Sequence, residues 1–342
     1  MLESTFRGKE KGENRVKKKL VLSLFSGIGA FERALENIGI EYSLVGYSEI
    51  DKFASKSYSL LHGISEDKNL GDITKIDEEN LPKDIDLLTY GFPCQDISIA
   101  GRMEGLFNSV GEKTRSGLFF DALRIINAVK PKIAIAENVK NLTNKSMKSV
   151  FDTVLNSLEE AGYNNYWKIL NCADYKIPQN RERVLIVSIR KNLDDGRFAF
   201  PKPVLLDTRL ADFLEEKVDE SYFLSEERTK NIVLSGQNAI GQVANLNHYR
   251  NDQMNRVYGI DGLCPTLKTV SGGGREIKIL DDGRCRYLTP KEYFRLMGFT
   301  DGDVELLKQN KISKTQLYKM AGNSIPVKML EHLFRTIYEE RK

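Results

Sequence analysis

Short runs of consecutive apolar residues alternate, along the first half of this chain, with stretches whose apolar positions recur every three to four residues. Leu20 to Phe25 is one such run; Phe31, Ala34, Leu35 and Ile38 then follow helical spacing. Tyr42 to Tyr47 predicts a second strand, followed by a helix from about Lys52. Asn69 to Ile73 reads as a short third strand, Asp86 to Tyr90 as a fourth and Ile133 to Ala136 as a fifth. Met147, Val150, Phe151, Val154, Leu155 and Leu158 share one helical face, and Val184 to Ile189 is a further buried run. Strands apolar on both faces, alternating with amphipathic helices, predict an α/β fold: a parallel sheet covered by helices on both sides. Such sheets bind ligands beyond the carboxyl ends of their strands. SGIG, SEID, GDI, GFPCQ and ENV, the chemically loaded segments, all fall at run ends.

The pattern breaks after Arg190. Residues 194–285 are polar and loop-rich, and helical spacing returns at Pro290 to Met297 and at Leu330, Leu333, Phe334 and Ile337. This predicts a catalytic domain over 19–193, an inserted, mostly β/loop domain over 194–285 and a C-terminal return over 286–342, after a basic tail at 1–18. The net charge of +3 permits a nucleic-acid partner without demanding one. No apolar run is long enough to span a membrane, and the first residues lack the apolar stretch of a secretory leader. The four cysteines (Cys94, Cys172, Cys264 and Cys285) form no C-x-x-C pair, which speaks against a disulfide framework or zinc site and points to a reducing cytoplasm. No metal is expected.

In LFSGIGAFERAL, Gly27 and Gly29 form a turn between strand and helix that lets a ligand approach the backbone. The pattern is incomplete for a dinucleotide fingerprint. Glu49, twenty residues beyond Gly29, can hold both hydroxyls of a ribose. Asp72 can accept from an adenine amine, with Ile50 and Ile73 on the two faces of the ring. Alone, each carboxylate is more often a helix cap or turn residue. A ligand without phosphate would need no basic residue in this turn, and none stands between Phe25 and Phe31.

Gly91-Phe92-Pro93-Cys94-Gln95 places a thiol at the same functional edge. An ordinary thiol is only a few per cent thiolate near neutral pH, so a nucleophile here needs help from its surroundings. Glu137 ends the fifth strand, and Arg181 and Arg183 alternate so that both face one side. Two guanidinium groups there suit an anionic substrate or a keto oxygen that gains charge.

At this point the chain resembles the cytosine-C5 DNA methyltransferases, over almost its whole length and in motif order. FSGIGAF resembles the first cofactor motif, GFPCQDIS the nucleophile motif, AENVKNL the Glu-Asn-Val motif and QNRERVLIV the Gln-x-Arg-x-Arg motif. RYLTPKEYFRLMGF and YKMAGNSIPV are similar to the ninth and tenth. The resemblance implies a Rossmann-like S-adenosylmethionine-dependent methyltransferase fold with a small target-recognition domain inserted. It implies transfer of a methyl group from S-adenosylmethionine to C5 of a flipped-out cytosine in a short duplex sequence, leaving S-adenosylhomocysteine. It assigns the nucleophile to Cys94, with Glu137, Arg181 and Arg183 as partners. Cofactor contacts carry over to Phe25, Gly27, Ile28, Gly29, Glu49, Ile50, Asp72, Ile73, Pro93, Leu118, Asn323 and Ser324. DNA contacts are expected at Gln95, Ser98, Arg102, Gln179 and Thr266, and base reading from 236–258, where Gln237, His248, Tyr249, Arg250 and Arg256 offer donors and stacking faces. The implied partners are double-stranded DNA and a separately acting restriction endonuclease, the implied state a monomer, and the implied role restriction-modification or phage self-protection. The segment 101–120 is longer than the family's usual stretch, with extra residues around 108–113.

Three other readings compete. A tRNA-methylating relative would carry a Cys-Phe-Thr run in its recognition region, and none is present. A non-catalytic DNA-binding relative would have lost Cys94 or Glu137. A nicotinamide oxidoreductase is opposed by the incomplete glycine pattern and the Pro-Cys-Gln turn.

Overall fold

The computed structural model describes residues 18–93, 116–236, 238, 241–270 and 274–339. Six strands form the main sheet: β1 (Lys19–Leu24), β2 (Tyr42–Ser48), β3 (Leu87–Tyr90), β4 (Ile133–Val139), β5 (Tyr163–Asn171) and, after the two-residue β6 (Gln179–Asn180), β7 (Glu182–Arg190). Their order is β2-β1-β3-β4-β7-β5. Alternation sorts their side chains between two cores. Val21, Leu87, Ile135, Leu185 and Val187 face one side, with α1 (Ala30–Asn37), α2 (Lys52–His62) and later helices. Leu22, Leu88, Ala134, Ala136, Val184 and Ile186 face the other, with α3 (Phe119–Val129) and α4 (Lys148–Glu160). Both faces are covered, which is why the runs are apolar throughout.

Two expectations need correction. The sheet is mixed: β7 runs antiparallel to both β4 and β5. The strand expected at Asn69 to Ile73 is absent. Asn69 makes a single bridge to Tyr47, and Gly71 turns into the left-handed region at φ 70°. Asp72 then caps a 3-10 turn over Ile73–Lys75, so the chain coils where it was expected to extend.

A second sheet, β13-β12-β10-β9-β8, is built from β8 (Val233–Leu234), β9 (Gln242–Asn245), β10 (Arg256–Tyr258), β12 (Lys278–Asp281) and β13 (Arg284–Tyr287). It flanks the short α5 (Glu226–Thr229) and α6 (Asp252–Asn255), while β11 (Cys264–Pro265) pairs with β6 instead. The hairpin of β12 and β13 runs through residue 285, the expected boundary. Phe198 and Leu210, also on the expected insertion, pack in the main core. The chain then returns through α7 (Pro290–Met297), α8 (Asp301–Gln309), α9 (Lys314–Asn323) and α10 (Val327–Tyr338). The last of these lies on α1, where Phe31 meets Phe334 edge-on at 6.3 Å and Asn37 donates to Glu331 at 2.7 Å.

Candidate active site

The carboxyl ends of β1 to β4 open onto a cavity of about 560 Å³. Its far wall is supplied by residues 266–269 and by the end of α9 with the turn after it.

At one end the turn after β1 is tied to β2. Phe25 and Gly27 both take left-handed backbone, at φ 53° and 56°. That conformation is uncommon for a bulky residue such as Phe and signals local strain. Gly27 donates its N–H to Glu49 Oε2 at 2.9 Å, and Asp51 donates to Oε1 at 2.7 Å. Backbone N–H groups on both turns thus fix the orientation of the carboxylate. Burial pushes the Glu49 pKa above its ordinary value, although the N–H groups of Asp51, Gly27 and Ile50 pull the other way. Asn69, which sequence reasoning passed over, accepts from the N–H groups of Glu49 and Gly71 and donates to Glu49 O. Its amide joins the two carboxylate-bearing turns. Asp72 is a cap as well as a candidate ligand: its Oδ1 accepts from Thr74 N and Oγ1, which lowers its pKa. Ile50 lines the cavity while 78% exposed, an apolar face open to a ring, whereas Ile73 is 3% exposed.

Gly29 does not line the cavity. It is left-handed at φ 75°, and a Cβ there would stand 2.2 Å from His62 Nε2. His62 in turn contacts Ile28 O at 3.1 Å and Glu36 Oε1 at 2.8 Å. Gly29 thus packs closely against His62 beneath the turn.

At the other end, β3 ends at Gly91-Phe92-Pro93, beside the end of β4. Asn138 Nδ2 donates to Phe92 O at 3.2 Å, and a Cβ on Gly91 would lie 3.4 Å from Glu137 Oε2. Because β7 is antiparallel, its first residues reach this same edge: Arg183 stands opposite Val139. Arg183 Nε donates to Glu137 Oε1 at 2.8 Å, with both side chains about 14% exposed or less. Burial raises the Glu137 pKa above the usual carboxylate value, with the arginines opposing it. A parallel β7 would have left Arg183 at the opposite edge of the sheet.

Phe25, Gly27, Ile28, Glu49, Ile50, Asp72, Ile73, Pro93, Leu118, Glu137, Arg181, Arg183, Thr266, Asn323 and Ser324 all line this one cavity. Cys94, Gln95, Ser98, Arg102 and Gln237 lie outside the described residues; Pro93, next to Cys94 in the chain, is on the cavity wall. Gln179 is not a surface contact. It is fully buried, donating to Leu296 O at 3.1 Å and accepting from Leu267 N at 3.1 Å. The Thr266 hydroxyl donates to Asn180 O at 2.5 Å, so its proton is not directed at a phosphate. Tyr249 packs half-buried, with its hydroxyl 3.4 Å from that of Tyr287, and Arg256 pairs with Asp252 at 2.6 Å. Arg250 and His248 are exposed. Among the described residues, no three His, Cys, Asp or Glu side chains gather as a metal site, and no helix is long and apolar enough to cross a membrane.

The sequence profile of the C-5 cytosine-specific DNA methylases matches residues 20–339. The orphan methyltransferase M.SPBetaI of Bacillus phage SPbeta is 34% identical, with 93% of this chain and 97% of that protein covered. The type II methyltransferase M.HhaI of Haemophilus parahaemolyticus is also 34% identical, over 91% of this chain and 92% of its own. Among solved structures, the fold is similar to S. pombe Dnmt2 methyltransferase (TM-score 0.67, 21% identity, 95% of this chain and 100% of that one). It is similar too to the Entamoeba histolytica methyltransferase EhMeth (TM-score 0.72, 16% identity, 96% and 100%). The fold is thus the Rossmann-like one of S-adenosylmethionine-dependent methyltransferases, and the chain, matched from its first strand to its last helix, belongs to the C-5 cytosine-specific DNA methylases and is a DNA cytosine-5-methyltransferase.

Proposed function

We propose that the one cavity serves both substrates, with S-adenosylmethionine between the turns after β1, β2 and β3 and a flipped cytosine beside Glu137 and Arg183. The observation that carries this reading is that a rigid carboxylate for a ribose and a buried Glu–Arg pair for a base stand at two ends of the same space, with Pro93 on its wall. The residues fit the donor. Glu49 presents a carboxylate of fixed orientation, Ile50 offers an apolar face, and Asp72 Oδ2, with the exposed Lys75 Nζ 4.0 Å away, can accept from an amine. When bound, S-adenosylmethionine supplies an electrophilic methyl group and leaves as S-adenosylhomocysteine.

The chain's own residues do the rest. Cytosine C5 is a weak nucleophile. The Cys94 thiolate adds to C6, forming the C6–S bond and pushing electron density toward C5. Glu137, whose pKa burial raises, hydrogen-bonds N3 and the exocyclic amine and stabilises the charge that the attack creates. Arg183, fixed by Glu137, faces the keto oxygen. After C5 gains its methyl group its proton passes to a solvent base, the C5–H electrons re-form the C5=C6 bond, and the C6–S electrons leave with sulfur as the Cys94 thiolate. The base must leave the helix for this, at a cost of a few kcal/mol. Duplex DNA lies across the second sheet, with Arg250 and His248 exposed to read it. The relatives' type II and phage contexts support a role in restriction-modification or phage self-protection, on DNA in the cytoplasm, with any cognate endonuclease a separate protein and the enzyme a monomer.

Incubation with tritiated S-adenosylmethionine and either duplex DNA or tRNA tests the reading. Label is expected in DNA alone; label in tRNA alone would overturn it. Bisulfite sequencing of DNA from cells expressing the chain then maps the site.

A further inference from the structure

Arg181 lines the cavity and is 2% exposed. Its guanidinium reaches three backbone carbonyls on two separate stretches of chain. Nη1 donates to Leu267 O at 2.7 Å, and Nη2 to Gly322 O at 2.9 Å and Ser324 O at 2.8 Å. These stretches are pressed together. A Cβ on Gly322 would lie 2.4 Å from Lys268 O and 2.6 Å from Thr269 N, so backbone meets backbone there. Thr269 Oγ1 also donates to Asn323 Oδ1.

The stretch 266–269 is a partition. Thr266, Lys268 and Thr269 line the 560 Å³ cavity on one side, and on the other a second cavity of about 860 Å³ that faces the second sheet. Asn251, Gln253 and Arg256 line that second cavity, and Gln253 Oε1 accepts from Lys268 Nζ at 2.5 Å. The partition is therefore held from the recognition side by Lys268 and from the cofactor side by Arg181.

We propose that Arg181 is a positioning residue which, by fastening the 266–269 partition to the 322–324 wall, makes the seating of DNA on one side felt by the methyl donor on the other. This rests on the reading of the cavity given above. A planar fork with fixed donor directions can bridge three carbonyls at once; the single ammonium of lysine cannot. Coupling of this kind is reciprocal, and typical couplings change affinity by roughly 5- to 150-fold.

The test is calorimetric titration of S-adenosylhomocysteine into the wild-type enzyme, Arg181→Lys and Arg183→Lys, each with and without a duplex carrying the site mapped by bisulfite sequencing. DNA is expected to tighten wild-type binding by about fivefold or more. In Arg181→Lys, binding without DNA is expected to weaken and the tightening by DNA to fall below about twofold. Arg183→Lys is expected to keep the tightening while losing turnover. An Arg181→Lys enzyme with unchanged affinity without DNA and unchanged tightening overturns the proposal, and so does a wild type whose affinity ignores DNA. Should Arg181→Lys not fold, Thr269→Val decides: reduced tightening supports the partition, and full tightening overturns it. Failure of the wild type to bind S-adenosylhomocysteine, or to label DNA, would instead fall on the reading of the cavity itself.

Discussion

Glu137 carries the sharpest consequence at the level of single residues. Its pKa is raised by burial, so the protonated form persists to higher pH than for an exposed glutamate. Activity should therefore rise with pH as the Cys94 thiolate forms and fall as Glu137 loses its proton. Glu137→Gln keeps a hydrogen-bond donor that does not titrate. It is expected to lower kcat by about 100- to 10,000-fold and to abolish the alkaline fall, as read from pH–rate profiles. Cys94→Ala should abolish methyl transfer and leave DNA binding intact, as checked by tritium incorporation and gel shift. Duplex with 5-fluorocytosine at the target should remain covalently attached to Cys94, since fluorine cannot leave as a proton; mass spectrometry reads the adduct. Glu49→Ala removes the carboxylate that Gly27 and Asp51 orient, and should weaken donor binding far more than DNA binding in separate titrations.

Among the elements, the junction of β13 with α7 is held by charge in a dry place. Arg286 and Glu292 are both fully buried and meet through two bonds of 2.9 Å, while Arg286 Nε donates to Asp281 at 2.7 Å. Glu292 also accepts from Thr289 N in a capping box at the start of α7. Glu292→Ala would remove one of the two carboxylates that hold a buried guanidinium, leaving Asp281 on Nε, and is expected to cost about 1–3 kcal/mol in urea denaturation. At the start of β1, Asp86 accepts from Lys132 at 2.8 Å and from Leu20 N at 2.8 Å. Burial raises its pKa, but these two bonds lower it further, for a net downward shift. A carboxylate lowered in the native state contributes stability that is present above its unfolded pKa, about 3.9, and lost as pH falls through the native one. Asp86→Asn should remove that acid-dependent part, visible as a shallower loss of stability below about pH 4. Gly322→Ala, with no room for a Cβ against Lys268 O, should lower stability and donor affinity together.

For the molecule as a whole, the alternation of apolar runs and helical patterns predicted the layers well, because burial on two faces leaves a direct trace in composition. Leu22 and Leu88 on one side and Val21 and Leu87 on the other show that trace residue by residue. Local chemistry was legible for the same reason: the glycine turn, Glu49 and the Gly91–Pro93 turn follow strands immediately in sequence. The strand expected at Asn69 to Ile73 failed because a left-handed glycine and an aspartate cap outweighed its apolar residues. Gln179 was expected to contact DNA, since nothing nearby in sequence reveals that Leu267 N will donate to its amide oxygen and Leu296 O accept from its amide nitrogen.

What residue order alone determined is which groups stand at strand ends, since that depends on neighbours a few positions away. Strand direction and the meeting of distant stretches were decided in three dimensions. The antiparallel turn of β7 brings Arg183 to Glu137, and the return of α9 brings Gly322 against Lys268. The physical reason is that hydrogen bonds and close packing between remote segments depend on which surfaces the whole chain buries together, and periodicity within any one segment carries no record of its partner.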